Sequence, residues 1–214
     1  AQTTGDLTRA LILFPSRTSG HDYTYLNDAC EKIKSDYSDR LTFEALGEVP
    51  ESLSAMATPV ELPPMDPNLN PYVSAAKSIR DLNRWDIAMI PADTNADTVD
   101  TGCIAFLEAS ALGLAAICSD STALRTAVRT DDAALMAENT ADSWYQAIKR
   151  LAEDAAFRHT LAQQAFSDLC DHHLLHSRAR LFAQTCQTVS DPFVIPRNPR
   201  DFVKNHLSGT GVEI

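Results

Sequence analysis

Short apolar runs recur along the chain, and most are followed by stretches whose apolar residues return at helical spacing. The first run, "RALILF" (Arg9–Phe14), predicts a buried strand. The polar "PSRTSGH" segment predicts a loop, after which Asp22 is placed to cap a helix ending near Tyr37. Within it Tyr25, Leu26, Ala29, Ile33 and Tyr37 lie near helical spacing. A second strand, "LTFEALG", ends at Gly47. Pro50, Pro59, Pro63, Pro64, Pro67 and Pro71 then mark a loop around one short strand, "TPVEL". A helix over 72–84 leads into "WDIAMIPA", the clearest strand in the chain. The pattern continues with a loop (93–102), a helix (103–112), the strand "AAICSD", a short helix and the weaker strand "ALMAE". Helices over 141–153, 154–171 and 174–189 finish the series. Short apolar strands alternating with helices predict an α/β fold, a doubly wound parallel sheet covered on both faces and closed by a helical carboxyl-terminal end. One domain over 1–190 and an extended tail over 191–214, with Pro192, Pro196 and Pro199, are expected.

Composition narrows the function classes. The chain has 214 residues, 44% of them apolar, enough for one substantial core. A formal charge of −11 opposes a nucleic-acid partner and docking on an anionic membrane. No apolar run reaches transmembrane length, and the first twenty residues lack the pattern of a signal peptide. Cys30, Cys103, Cys118, Cys170 and Cys186 are odd in number and form no CxxC pair, so free thiols in a reducing cytoplasm are expected. The chain begins at Ala1, which is consistent with processing or with a piece of something longer.

Candidate chemistry centres on "DTGCIAFLEASALGLAAICSD", where Asp100 and Glu108 flank a glycine and the start of a small apolar helix. Ligands of such sheets sit at the carboxyl ends of the strands, and this loop lies at one of them. The backbone at Thr101, Gly102 and Cys103 would open the helix toward an anion. Gly102 admits close approach of a ligand. The Glu108 carboxylate can accept two hydrogen bonds from a vicinal diol such as a ribose, and Asp100 can do the same for a sugar hydroxyl. By spacing alone, a helix-start acid and a solvated helix residue serve equally well.

The surrounding text resembles the donor-binding segment of the GT-B glycosyltransferases, in particular the large retaining family 4 (group 1). That family carries a strand of the type "ADIALIP", a loop, an acid, seven residues and a Glu, then a stretch such as "LEAMALGLPVIASD". Here Asp86–Pro91 matches the strand, Asp100 and Glu108 the acids, and Ser119–Asp120 the end of the next strand. Val128–Asn139, "VRTDDAALMAEN", lines up without gaps on "VRDGENGLLVEN". The resemblance spans roughly Arg9 to Val189 and implies a carboxyl-terminal, Rossmann-like donor domain. It implies that Glu108 holds the nucleotide ribose, Asp100 the donor sugar, and the Thr101–Cys103 backbone the diphosphate or sugar. It also implies retaining transfer from a nucleoside diphosphate sugar without a metal or cofactor, and a partner amino-terminal domain that binds the acceptor.

Three departures accompany the resemblance. The loop after the first strand offers Arg17 and His21 where the family has Arg and Lys, so Arg17 is the candidate phosphate contact. Asp131 and Ala134 replace two glycines of the family's "DGENG" loop, and Ala105 stands where a Lys is frequent. Nothing in these 214 residues supplies the family's amino-terminal domain, which is expected to have been removed or to lie on another chain. A non-catalytic nucleotide- or partner-binding domain is the alternative reading. His172 and His176 have zinc-ligand spacing but no third ligand, and Trp85, Trp144, Tyr23, Tyr25 and Phe106 read as packing residues. The chain has no GxGxxG, Walker or GxSxG motif.

Overall fold

The computed structural model describes residues 7–14, 22–61, 64, 68, 79, 84–92, 102–129, 132–174 and 179. The helices expected over 72–84 and 174–189 and the tail over 191–214 lie almost wholly outside these residues. The chain divides into two compact units, 1–171 and 172–214, and every described strand belongs to the first.

Six parallel strands form one sheet: β1 (Thr8–Leu13), β2 (Leu41–Leu46), β3 (Ala57–Pro59), β4 (Ile87–Ile90), β5 (Ala115–Ser119) and β6 (Ala134–Ala137). Their spatial order is β3-β2-β1-β4-β5-β6, so the sequence order reverses between β1 and β4. Helix α1 (Thr24–Tyr37) joins β1 to β2, by way of a short 3-10 turn. Helices α2 (Gly102–Ala111) and α3 (Thr122–Ala127) precede β5 and β6. Helices α4 (Ala141–Glu153) and α5 (Ala155–Asp168) follow β6. This is the doubly wound α/β architecture expected from the hydropathy pattern.

The near-continuous apolar character of β1, β4 and β5 follows from burial on both faces. Alternate residues divide between two cores. Ala10, Ile12, Ile87, Met89, Ala115 and Ile117 face one core with Leu26, Ile33, Trp144 and Ile148 of α1 and α4. Leu11, Leu13, Ala88, Ile90, Ala116 and Cys118 face the other with Phe106, Ala109 and Leu124 of α2 and α3. Trp144 and Phe106 are buried, as their packing roles predict, and Trp85 donates from its indole nitrogen to Glu44 Oε2 at 2.9 Å.

Element ends carry identifiable chemistry. Ser121, Thr140 and Asp154 accept hydrogen bonds from the backbone N–H of Leu124, Ser143 and Phe157 and so cap α3, α4 and α5. Asp22 differs from expectation: Tyr23 is the N-cap of α1, and Asp22, one residue earlier, accepts from the Thr24 N–H and hydroxyl instead. Helix α2 closes on Gly113 at φ +72°, with Gly113 N–H donating to Ser110 O and Leu114 N–H to Ala109 O. This paired pattern at a left-handed residue satisfies the last helical carbonyls. A π-helical turn, Leu169–His173, follows α5, an interruption that the uniform apolar spacing of the sequence does not signal.

Candidate functional site

The carboxyl ends of β4, β5 and β6 stand side by side, and the chain leaves them at Pro91, Asp120 and Glu138. The ladder aligns Ile90 with Cys118 and Ser119 with Ala137. Beyond it Ala92 is 2% exposed, so its backbone N–H and C=O are withdrawn from water. Side chains from the next two strands satisfy both groups. Ala92 N–H donates to Ser119 Oγ at 2.8 Å, the Ser119 hydroxyl donates to Asn139 Oδ1 at 2.7 Å, and Asn139 Nδ2 donates to the Ala92 carbonyl at 2.9 Å. The result is a closed ring of hydrogen bonds across three strand ends. Its donors and acceptors fix the amide orientation, because the opposite placement would set Asn139 Oδ1 against the Ala92 carbonyl oxygen.

Helix α2 begins over this edge. Its buried face carries Gly102, Phe106, Ala109 and Ser110. Ile104 and Glu108, one helical turn apart, lie on the exposed stripe. The large apolar Ile104 side chain is 60% exposed, unusual for its type. Glu108 makes no side-chain hydrogen bond or ion pair with any described residue. Neighbouring atoms nonetheless remove enough water from its carboxylate to raise its pKa above the ordinary value. An outward acid with some desolvation and no partner suits a ligand that brings hydroxyl donors.

One contact joins α2 to α3, and α3 is tied in turn to the end of β5. Cys103 Sγ donates to the Ala123 carbonyl at 3.3 Å, in the first turn of α3. That turn is tied back to β5 by Ser121 N–H donating to Ser119 O at 2.9 Å and by the Ser121 cap. Arg125 pairs with Asp120, holding the Asp120 carboxyl below its usual pKa. Asp100, Thr101, Arg17 and His21 lie outside the described residues. Of the residues expected at the site, the structure therefore places Gly102, Cys103 and Glu108 together on α2. It adds Ser119 and Asn139, which periodicity did not single out. A small polar residue ending an otherwise apolar strand was the available signal for Ser119.

Other chemistry is sparse. The described residues contain no cluster of His, Cys, Asp and Glu fit for a metal, and His176 is not among them. Among the described residues Cys30, Cys103, Cys118 and Cys170 form no disulfide, and Cys186 lies outside them. Two described clefts lie elsewhere: one near the amino ends of β1 and β2, lined by Arg9, Thr42 and Glu44, the other along β6 and α4.

Comparison with known proteins bears on this architecture. The model of the family described as "Glycosyl transferases group 1" matches residues 5–168. The chain belongs to that family. Its match takes in the whole described sheet, α2 with Glu108, and the Ser119–Asn139 ring. No curated protein matches this glycosyl transferase chain. Among solved structures, the carboxyl-terminal domain of a glycosyl transferase group 1 protein, LpcC from Francisella tularensis, is similar over 79% of this chain and 88% of that one. The two share 15% identity with a TM-score of 0.56. HepE of Anabaena, solved with UDP and glucose, is similar at 9% identity and a TM-score of 0.59, over 86% of this chain and 49% of its own. MnaA of S. aureus, solved with UDP, is similar at 13% identity and a TM-score of 0.56, over 86% and 47%. At these identities the likeness is one of fold. The group 1 chain spans less than half the length of HepE and MnaA.

Proposed function

We propose that this chain is the donor-binding half of a retaining glycosyltransferase that takes a nucleoside diphosphate sugar. The observation that carries the reading is Glu108, an unpartnered, partly desolvated acid on the outward stripe of α2 within the segment matched by the group 1 family. In this reading Glu108 accepts hydrogen bonds from the two ribose hydroxyls. Asp100 binds the donor sugar, and the backbone at Thr101, Gly102 and Cys103 faces the diphosphate at the amino end of α2. Arg17 supplies a cation to the same phosphates. During transfer the bond from the anomeric carbon to the diphosphate breaks, and one to an acceptor hydroxyl forms on the same face. The acceptor's proton leaves with the diphosphate. Cationic side chains and helix dipoles offset the developing charge, so the reading requires no metal. That HepE and MnaA were solved with UDP supports a nucleotide ligand, and their greater length supports an acceptor-binding domain outside these 214 residues. No helix among the described residues is long and apolar enough to cross a membrane, and a cytoplasmic setting is part of the proposal.

Calorimetric titration with UDP, GDP and ADP, on the parent chain and on Glu108→Gln, tests the reading. Saturable binding of one diphosphate, weakened about tenfold or more in the variant, is the expected result. Binding unchanged in a folded Glu108→Gln would remove Glu108 from the site.

A further inference from the structure

The ring of Ala92, Ser119 and Asn139 does more than complete three hydrogen bonds. Pro91 has no N–H to donate, and β4 has already ended at Ile90, so the backbone of Ala92 has only side chains to meet. Ser119, fully buried, is where the ring meets β5. From Ser119 a connected path runs through Ser121 N–H to the first turn of α3, and from Ala123 O to Cys103 in the first turn of α2. Asn139 is held from its other side by the turn into α4: Thr140 N–H donates to Glu138 O, and Thr140 caps that helix. The amide of Asn139 therefore links the helix after β6 to the chain leaving β4.

We infer that Asn139 is a positioning residue for the nucleotide end of the sheet, setting the amino end of α2 through Ser119 and α3 without touching the ligand. The inference rests on the donor-site reading, but its structural part has a test of its own. Asn139→Asp preserves shape and the bond accepted from Ser119, while placing a carboxylate oxygen against the Ala92 carbonyl. Protonation of that carboxyl restores a donor to Ala92. No ionisable side chain is a ring partner of Asn139. Glu138 precedes it, and Asp120, held by Arg125, leaves the end of β5; both are present in parent and variant, so the comparison is made as a ratio.

The first arm is amide hydrogen exchange on the ligand-free chain. Near neutral pH, Asn139→Asp should speed exchange at Ala92 and over Phe106–Ala109, whose N–H groups bond the carbonyls of the first turn of α2, with α1 and β2 unchanged. Lowering the pH to about 5, toward the range where a carboxyl in poor surroundings regains its proton, should narrow the difference from parent once intrinsic rates are corrected. The second arm is titration with UDP, GDP and ADP. The ratio of variant to parent Kd should be about tenfold near neutral pH and shrink toward one at the lower pH. Ser119→Ala should weaken binding at a ratio that does not change with pH. Unchanged exchange at Phe106–Ala109 in the folded Asn139→Asp chain overturns the inference, whether or not nucleotide binds. So does a Kd ratio of one near neutral pH. Failure of the parent to bind any nucleotide, with the exchange arm as expected, leaves the positioning link standing and overturns its use for a donor.

Discussion

Glu108 shows how exposure and titration combine at one residue. Its neighbours raise the carboxyl pKa by removing water, with no compensating partner among the described residues. A group whose folded pKa lies above the unfolded one holds its proton more tightly in the folded state. Stability therefore falls as pH rises from the ordinary value of 4.5 through the folded pKa, and the loss is complete above it. Replacing the acid by Gln removes that cost. Glu108→Gln is expected to melt no lower than the parent near neutral pH, within about 2 °C or above it, and the difference should vanish in acid below the ordinary carboxyl range. Thermal denaturation across pH checks this. A large loss of stability would place Glu108 in a structural network and remove the reason for assigning it to a ligand.

At the scale of elements, the helix and strand ends are where local chemistry decides. Gly113 takes φ +72° with open space around its α-carbon, so the objection to a side chain there is backbone strain and not a clash. Gly113→Ala is expected to cost about 1–2 kcal/mol, measured by denaturant unfolding, with no change in which residues pack. Most elements were legible in the sequence because their signals are local: helical spacing in α1 and short apolar runs at β1, β4 and β5. The ring was not, because its bonds join residues 20, 27 and 47 positions apart. Periodicity reports a residue's own element, and a polar group satisfied by a distant strand leaves no trace in it. The same reasoning explains Asp22, whose type suggests a cap while the turn geometry assigns that position to Tyr23. Spacing and resemblance singled out Glu108 as a candidate, whereas its partial desolvation required the tertiary fold.

At the scale of the molecule, the chain is shorter than two of the solved structures it resembles. It covers less than half of HepE and MnaA, and the proposed function places the acceptor site outside these residues. The 214 residues by themselves are therefore expected to transfer no sugar, in an assay that follows release of the nucleoside diphosphate in the presence of sugar acceptors. Robust transfer would refute the half-enzyme reading. The sheet also has two unlike margins. At β3, Pro59 pairs with Ala45 while Val60 N–H reaches back to Ala45 O, so the side of Pro59 that lacks an N–H faces away from the sheet. At β6 no proline intervenes, and Leu135 and Met136 are only partly covered. Among the described residues, then, the backbone template that a further strand would read is interrupted by a proline at the β3 margin and runs without one along β6.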